Sequence, residues 1–325
     1  MDLSVKYMGL NLSSPLIVGS SGLTNSVEKV VELDEYGAGA VILKSLFEEQ
    51  ILFEAEAASV DQYDYPEAID YVKAYTKENS INKYLELIKD CKKETNIPII
   101  ASINCVTNGK WTEFAKKIET AGADAIEINV SVLPFDINRT SEESEKVYFD
   151  ILDKIKSIVN IPVALKLSHY SANIAHLVQQ LSWRQQADAF VLFNRFYNPD
   201  IDINTKKITS SGVFTNPTDI TMPLRWIALL SDEIQTDISA STGVHSGADI
   251  AKLLLVGASS VQVVSSIYQN GPKHIRKMLS DLQEWMKKNN YNTIEDFRGM
   301  ISAKKAQNPV AFERIQFMKY FGGIE

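Results

Sequence analysis

The chain has 325 residues, of which 45% are hydrophobic and 23% are charged, and it carries a net charge of −8 at pH 7. This composition is typical of a globular protein with one large core, and the acidic excess disfavours nucleic acids and anionic membranes as partners. The first residues lack the basic start and apolar core of a signal peptide, and Cys91 and Cys105 are expected to be reduced thiols. We therefore expect a cytoplasmic protein without a membrane span.

Eight short apolar runs, each ending in a small polar residue or a lysine, organise the chain. In chain order they span residues 15–21, 39–45, 98–104, 125–131, 162–168, 189–194, 237–243 and 260–266. Continuous β-branched runs of this length are typical of strands buried on both faces, as in a parallel sheet. Helix-like segments separate them, so the sequence predicts an α/β protein folded as a (β/α)8 TIM barrel, whose active site lies at the carboxyl ends of the strands.

A hairpin and two long loops are expected in addition to the strands and helices of this barrel. Residues 2–15 alternate around Gly9 and predict an N-terminal hairpin that closes one end of the barrel. The loops after the second and sixth strands, residues 46–78 and 195–216, are predicted to be extended, and the latter to contain a small hairpin. Long strand-to-helix loops at this end of a barrel are usually lids or walls of the substrate site.

The C-terminal residues form a separate predicted segment. We expect the barrel domain to cover residues 1–302 and a helical tail to cover residues 303–325. Phe312, Ile315 and Phe317 have helical spacing within this tail. An apolar stripe of this kind predicts packing on the barrel exterior or on a partner subunit.

Several helix starts are marked by capping residues. Asn25 and Thr140 are each followed three residues later by glutamate, which is the spacing of a capping box. Ser246 follows the seventh strand and is expected to begin a helix, and Asn216 precedes a proline at a predicted first helical position.

Two lysines, Lys44 and Lys166, end the second and fifth predicted strands inside apolar runs. Burial of an unpaired ammonium is unfavourable, so each lysine is expected to meet an anion or the negative end of a dipole. One such lysine fits an ion pair within the core. Two at the same end of a barrel favour a bound anionic group, or a Schiff base on Lys166.

Amide and glycine residues complete the predicted mouth of the barrel. Asn104, Asn129 and Asn194 end the third, fourth and sixth strands, and their donors and acceptors suit the edge of a planar heterocycle. The loops 241–243 and 264–266 follow the seventh and eighth strands, where barrels commonly bind a phosphate through backbone N–H groups. Gly212 permits another backbone segment to approach the same ligand.

The order and spacing of these residues resemble the dihydroorotate dehydrogenase family, more closely its soluble class, and the flavin domain of dihydropyrimidine dehydrogenase. The resemblance extends from about residue 2 to residue 302. It is carried by Gly19-Ser20, Lys44-Ser45, the segment 100–131, Leu165-Lys166-Leu167, Asn194, Thr242-Gly243, the segment 262–266 and the segment 291–299.

The resemblance implies an FMN at the mouth of the barrel and a homodimer. Lys166 is expected near the N1/O2 edge of the flavin, where it stabilises negative charge, and Lys44 and Asn194 are expected to contact the substrate. The full predicted cofactor set is Gly19, Ser20, Lys44, Ser45, Asn104, Asn129, Lys166, Gly212, Thr242, Gly243, Val264 and Ser265.

Two departures from the family pattern affect the predicted chemistry. Val132 stands where the family places its catalytic cysteine or serine, and valine cannot accept a proton. The asparagine-bearing substrate loop of the family is replaced by residues 75–80, and Arg195 follows Asn194 where the family has serine or threonine. The predicted catalytic residues are Lys166, through its place at the flavin, and Ser131, His169 and Cys105 as candidates for the replacement proton group. The chain has no clustered metal-ligand spacing, so no metal is expected.

The sequence therefore predicts an FMN-dependent oxidoreductase that acts on a CH–CH bond next to a carbonyl in a small molecule. The family substrate is dihydroorotate, which is oxidised to orotate in pyrimidine biosynthesis, and the altered base position leaves the native substrate open. Two alternatives remain. One is a non-catalytic or differently specific flavoprotein, and the other is a flavin-free barrel enzyme with Lys166 as a Schiff-base nucleophile.

Overall fold

A closed barrel of parallel strands forms the centre of the molecule, whose computed structural model describes residues 1–55, 81–107, 109–130, 132–133, 135–195, 199–210 and 212–313. The strands are, in chain order, β1 (Val5–Tyr7), β2 (Leu10–Leu12), β3 (Leu16–Val18), β4 (Ala40–Ile42), β5 (Leu46–Phe47), β6 (Ile99–Cys105), β7 (Ala125–Val130), β8 (Val163–Leu167), β9 (Ala189–Leu192), β10 (Pro199–Asp202), β11 (Lys207–Ser210), β12 (Asp237–Ser241) and β13 (Ser260–Val263). The eight barrel strands follow the order β4-β3-β13-β12-β9-β8-β7-β6, and β4 closes the ring by pairing with β6. The predicted (β/α)8 barrel is confirmed, and each barrel strand lies within one of the eight apolar runs or extends it by a single residue.

Helices lie between the barrel strands. They are α1 (Val27–Glu35), α2 (Glu48–Ala55), α3 (Ile81–Glu94), α4 (Phe114–Thr120), α5 (Ser141–Lys156), α6 (Ile174–Trp183), α7 (Thr221–Leu230), α8 (Gly247–Leu255), α9 (Ser265–Asn270) and α10 (His274–Lys288). Among the described residues, no helix combines the length and the apolar character that crossing a bilayer requires.

The strand register brings the polar strand ends into one layer. Asn104 of β6 aligns with Asn129 of β7, and Asn129 aligns with Lys166 of β8. Partners in neighbouring parallel strands share a face, and residues two apart on one strand share it as well. The side chains of Asn129 and Glu127 therefore face the barrel interior together, with Glu127 one layer deeper.

The predicted N-terminal hairpin is confirmed as the antiparallel pair β1–β2. The Met8 N–H donates to the carboxylate of Asp237 at 2.9 Å, and Asp237 is the first residue of β12. The hairpin therefore covers the amino end of the barrel. It leaves the carboxyl end of the strands open.

The extended loops and the tail are described in part. After β4, residues 46–55 form β5 and α2, whereas residues 56–80 lie outside the described part. The predicted hairpin in the sixth loop is confirmed as β10–β11. In the tail, the Ala303 N–H donates to the Ala228 carbonyl of α7 at 2.8 Å, and Pro309–Phe312 forms a 3₁₀ turn. Residues 314–325, and with them the helical spacing at Ile315 and Phe317, lie outside the described residues.

The capping box predicted at Thr140 forms, and the helix start predicted at Ser246 is confirmed and also carries a capping box. The box predicted at Asn25 does not form, because a 3₁₀ turn at Gly22–Thr24 precedes α1 and is capped by Ser21. The side-chain oxygen of Asn25 instead accepts a hydrogen bond from Lys29 at 2.8 Å. That part of the sequence interpretation is wrong.

Candidate active site

A cavity of about 200 Å³ lies at the carboxyl ends of the barrel strands. It is called the mouth cavity below. Its lining consists of Ser20, Lys166, Asn194, Arg195, Val213, Thr215, residues 241–244 and residues 262–265. Five of the eight barrel strands or the residues that follow them contribute to it, which is where a TIM barrel places its active site.

Lys166 is held by two buried partners in this cavity. Its Nζ donates to Gln262 Oε1 at 2.9 Å and lies 3.5 Å from Glu127 Oε1. Gln262 Nε2 donates in turn to Glu127 Oε2 at 2.6 Å. The side chains of Lys166 and Glu127 are 12% and 2% exposed, so the pair is shielded from water. The Lys166 side chain is therefore held in one position by an amide oxygen and a carboxylate.

This arrangement differs from the sequence expectation for Lys166, which favoured a bound anion over an ion pair in the core. The ion pair is present, and Glu127 was not singled out because it lies in the middle of an apolar run. A usable signal existed: Glu127 lies two residues before Asn129, so both share the inward face of the strand. Gln262, at the third position of β13, was missed for the same reason.

Beneath Glu127 lies the phenol of Tyr7, which belongs to the hairpin that covers the amino end of the barrel. Burial, and after it the carboxylates of Glu127 and Asp237, raise the pKa of Tyr7 well above its ordinary value. Tyr7 therefore stays neutral beside Glu127.

Gly19 and Ser20 follow β3 at the rim of the mouth cavity. A Cβ at Gly19 would lie 2.9 Å from Val264 Cγ2 and 3.7 Å from Gln262 Oε1, so only glycine leaves this space open. The Ser20 hydroxyl is 2.9 Å from the Ser45 hydroxyl, which is 2.8 Å from that of Ser102. These serines fix the rim through their mutual hydrogen bonds.

Thr242 and Gly243 form a tight turn after β12, with φ of +89° and +79°. A Cβ at Gly243 would lie 2.1 Å from the Ile220 nitrogen, so the approach of the two backbones requires glycine. The Thr242 hydroxyl donates to the Phe193 carbonyl at 3.1 Å. A threonine persists at positive φ only where its surroundings hold it, and such positions concentrate at ligand sites.

The segment around Thr215 joins this turn to the end of β13. The Thr215 N–H donates to the Ser265 hydroxyl at 3.0 Å, and the Thr215 hydroxyl lies 3.0 Å from His245 Nε2. The Asp249 carboxylate accepts from the N–H groups of His245 and Ser246. Thr242, Gly243, Val264 and Ser265, the residues predicted to bind a phosphate, thus line one fixed part of the cavity.

The three predicted asparagines occupy different environments. Asn194 lines the mouth cavity, and its N–H donates to the Leu167 carbonyl at 2.8 Å. Asn129 is half-buried, and its Oδ1 is a buried acceptor without a hydrogen-bond partner among the described residues. Asn104 is half-buried beside it in register. A buried amide oxygen without a partner is typical of a site that binds a polar ligand.

Lys44 lies outside the described lining of the mouth cavity. It borders a separate cleft between α1 and α3, together with Ser26, Lys83 and Tyr84. The Lys44 N–H donates to the Thr24 carbonyl at 3.3 Å. The structure therefore does not bring Lys44 and Lys166 into one cavity. Gly212 is also absent from the described lining of the mouth cavity, although the next residue, Val213, is part of it.

The predicted proton groups lie apart from one another. Ser131 lies outside the described residues. His169 follows β8, stacks 4.2 Å from the Tyr170 ring, and has a pKa that burial lowers from its ordinary value. Cys105 alternates with Asn104 and so faces away from the barrel interior. Burial, and after it Glu48 and Glu49, raise the pKa of the Cys105 thiol well above its ordinary value.

Val132 borders a third cavity, between the loops that follow β7 and β8. Its side chain is 7% exposed, and Asp136, Tyr148 and Tyr170 are among its neighbours in the lining. Within the described part of the chain, no group of three histidine, cysteine or carboxylate side chains is arranged to hold a metal.

A closed parallel barrel with a polar cavity at its carboxyl end defines a TIM-barrel enzyme, and comparisons with known proteins identify which kind. The family model "Dihydroorotate dehydrogenase" matches residues 2–286. The chain belongs to this family, and the prediction of an enzyme resembling dihydroorotate dehydrogenase is confirmed at the level of the family.

Relatives with this name and one related name align with most of the chain. "Dihydroorotate dehydrogenase B (NAD(+)), catalytic subunit" of Thermoplasma volcanium is 28% identical over 92% of this chain and 98% of the relative. The protein of the same name from Thermoplasma acidophilum is 26% identical over the same shares. "Dihydropyrimidine dehydrogenase (NADP(+)), chloroplastic" of Arabidopsis thaliana is 25% identical over 92% of this chain and 76% of the relative.

Proposed function

We propose that this protein is an FMN-dependent oxidoreductase that acts on a CH–CH bond next to a carbonyl group in a small molecule. The observation that carries the proposal is the mouth cavity, in which a charged Lys166 faces a turn of Thr242 and Gly243 and the residues Val264 and Ser265. A cation near one part of a cavity and a group of backbone N–H donors at another suit an electron-accepting ring that bears a phosphate.

The residues present fit an FMN. Gly19 leaves open space at the rim that a Cβ would occupy. The partnerless Oδ1 of Asn129 is an acceptor for the N–H of a heterocycle. We propose that Gly19, Ser20, Asn129 and Lys166 hold the ring, and that Ser45 and Asn104 support them. The residues proposed for the phosphate are Thr242, Gly243, Val264 and Ser265.

When bound, FMN supplies an acceptor for the hydride that leaves the substrate carbon. Lys166 stabilises negative charge at the edge of the ring, and Glu127 and Gln262 keep its ammonium in one position. Asn194 is proposed to bind the substrate from the sixth strand end. Lys44 is proposed for the substrate from the sequence pattern alone, since it borders a different cleft.

A proton must also leave the substrate, and Val132 cannot accept it. We propose His169 as the base. Burial lowers the pKa of His169, so its imidazole is neutral and able to accept a proton at neutral pH. Cys105 is a poorer choice, because its raised pKa keeps the thiol protonated. Ser131 stays a sequence prediction.

Dihydroorotate is the proposed substrate, because the relatives are named for it. The departures at Val132 and Arg195 favour a second candidate, a flavoprotein of the same family with a different substrate. The Schiff-base alternative has less support, because Lys166 Nζ is occupied by Gln262 Oε1 at 2.9 Å and Glu127 Oε1 at 3.5 Å, whereas a nucleophile must reach a carbonyl carbon of the substrate.

The proposal is tested with purified protein and FMN under anaerobic conditions. We expect the protein to bind FMN, and dihydroorotate to bleach the bound flavin within minutes. Bound flavin that dithionite reduces but dihydroorotate does not would favour the second candidate. Protein that does not bind FMN, yet forms a substrate adduct on Lys166 that borohydride traps, would contradict both.

Assembly and location are proposed from the sequence resemblance. We propose a homodimer in the cytoplasm. The Thermoplasma relatives are named as catalytic subunits, which implies a partner subunit for those proteins. Light scattering of the purified protein distinguishes a dimer of this chain from a monomer that awaits a second subunit.

A further inference from the structure

Arg195 is the second cationic side chain of the mouth cavity, and the proposed function gives it no role. It follows Asn194 after the end of β9, and its side chain is 27% exposed. Its Nη1 donates to the Val213 carbonyl at 2.9 Å, which fixes the direction of the guanidinium. The hydrogen bond uses one of the five N–H donors of the group, so others remain for a ligand.

Of the two cationic side chains in the lining of the mouth cavity, Arg195 lies farther from its carboxylate partner. The charge of Lys166 is matched by Glu127 at 3.5 Å inside the barrel. Arg195 has Asp219 at 3.9 Å from its Nε, and the same carboxylate oxygen also accepts from the Asn216 N–H at 3.0 Å. Within the described lining of the mouth cavity there is no acidic side chain, because Asp219 lies outside that lining, so a bound anion meets Arg195 from the cavity side without a carboxylate between them.

Two contacts connect Arg195 to the segments that line the phosphate side of the cavity. Its partner Val213 lies two residues before Thr215, whose N–H bonds the Ser265 hydroxyl. Its other neighbour, Asp219, precedes Ile220, whose backbone abuts Gly243. The guanidinium therefore bonds the backbone of the segment that holds Thr215 and lies 3.9 Å from the carboxylate of the segment that abuts Gly243.

We propose that Arg195 binds the phosphate monoester of the flavin in this cavity, an inference that rests on the proposed function. A phosphate dianion offers several acceptor oxygens, and a planar guanidinium can donate two parallel hydrogen bonds to it. Backbone N–H groups alone would leave much of the phosphate charge unmatched. The serine or threonine of the family pattern would offer one donor and no charge at this position.

The test compares two flavins that differ only in the phosphate. Protein freed of flavin is titrated with FMN and with riboflavin, and dissociation constants are taken from the change in flavin fluorescence. The variants are Arg195→Ser and Arg195→Lys. The matched control is Arg184→Ser, which removes the same charge from a half-exposed side chain after α6, where the helix returns to the opposite end of the barrel.

We expect Arg195→Ser to weaken FMN binding by about 10-fold to 150-fold, the cost of losing hydrogen bonds to a charged group. Riboflavin binding should change less than about threefold, because the ring and the ribityl chain keep their contacts. The FMN affinity of Arg195→Lys should lie between those of the wild type and Arg195→Ser. The FMN affinity of Arg184→Ser should equal that of the wild type.

An equal loss of FMN and riboflavin binding in Arg195→Ser would overturn the inference, because it would assign the residue a structural role. Unchanged FMN binding with a raised KM for the substrate would overturn it as well, and would place a substrate carboxylate on the guanidinium. Wild-type protein that binds neither flavin would refute the proposed function before any variant is compared.

Discussion

Glu127 and Lys166 place a charged pair at the centre of an otherwise apolar barrel. Such a pair contributes little net stability compared with apolar residues, but it fixes the position of its members. Here the fixed member is the ammonium that faces the mouth cavity, and Gln262 bonds both partners. The arrangement is consistent with a site in which the direction of one cation matters more than the stability of the core.

Glu127→Gln should destabilise the protein by about 2–4 kcal/mol, because the Lys166 ammonium stays buried and loses its counter-charge. The double variant Glu127→Gln with Lys166→Met should lose less stability than the two single variants lose together. The reason is that removal of both charges leaves neither of them unmatched. Urea unfolding of the flavin-free protein measures all three variants.

The control for this cycle is the exposed pair Lys146 and Asp150 on α5, whose side chains are 68% and 33% exposed. Each single substitution at Lys146 or Asp150 should lower the free energy of unfolding by at most about 0.5 kcal/mol. The coupling energy between the two substitutions should be close to zero. Additive losses at Glu127 and Lys166 would show that the two groups do not depend on each other.

His169→Gln should lower the rate of flavin reduction by dihydroorotate by about 100-fold or more, with FMN affinity unchanged. In the wild type the rate should fall as the pH is lowered through the pKa of His169, because protonation removes the base. Burial lowers this pKa from its ordinary value of 6.5, so the decline should begin below that pH. Stopped-flow measurements across the acid range provide the profile.

Val132→Cys serves as the matched control for the base assignment. Val132 is 7% exposed, and a thiol buried at this position should stay protonated, so it should not act as a base. The rate of flavin reduction in Val132→Cys should stay within about threefold of the wild-type rate. A general base would change this rate by about 100-fold or more. A large gain in Val132→Cys, with no loss in His169→Gln, would contradict the proposed role of His169.

At the scale of elements, the loop before α8 depends on one carboxylate. Asp249 accepts from Ser246 N–H at 3.0 Å and from the Ser246 hydroxyl at 2.9 Å, and it pairs with Lys252 at 3.0 Å. His245, which contacts Thr215 beside the mouth cavity, also donates its N–H to this carboxylate. The start of α8 thus positions part of the site wall.

Asp249→Asn should cost about 1–2 kcal/mol of stability, as expected for a helix cap with a charge at the first turn. Burial opposes the charge, but the bonds from Lys252 and Ser246 dominate and lower the pKa of Asp249 below 3.8. The carboxylate therefore stabilises the fold fully above the unfolded pKa, and the contribution disappears as the pH falls through the lower folded pKa.

Urea unfolding at neutral pH and near pH 3 measures this effect. The difference between wild type and Asp249→Asn should be full at neutral pH and smaller in acid. Asp281→Asn is the control, because Asp281 is 37% exposed and pairs only with Lys277 on α10 among the hydrogen bonds and ion pairs of the described residues. That change should cost less than about 0.5 kcal/mol. A pH-independent difference at Asp249 would mean that its charge is not what stabilises the cap.

For the whole molecule, the barrel could be predicted from the sequence because strands buried on both faces leave continuous apolar runs. The strand ends at Asn129, Lys166 and Asn194 followed from the same pattern, since strand ends meet at one end of a barrel. The placement of Lys44 could not be predicted, because it depends on the pairing of β5 with β6 after β4 has ended. Glu127 was missed because it lies within an apolar run; its spacing from Asn129 indicates the inward face, but its pairing with Lys166 follows only from the register of the strands.

Binding at the mouth should stabilise the entire barrel, because the cavity is lined by residues from strands far apart in the chain. A ligand that binds only the folded state adds about 2.7 kcal/mol at a concentration of 100 times its Kd. For a chain of this size FMN should therefore raise the thermal midpoint by several degrees, and the shift should grow with the logarithm of FMN concentration.

Differential scanning calorimetry at a series of FMN concentrations measures this shift. Riboflavin at equal concentration should give a smaller shift in the wild type, since it lacks the phosphate. In Arg195→Ser the shifts with FMN and riboflavin should become similar, because the phosphate has lost its cation. A midpoint that does not move with FMN, in protein whose helical content is intact, would mean that the mouth of this barrel is not a flavin site.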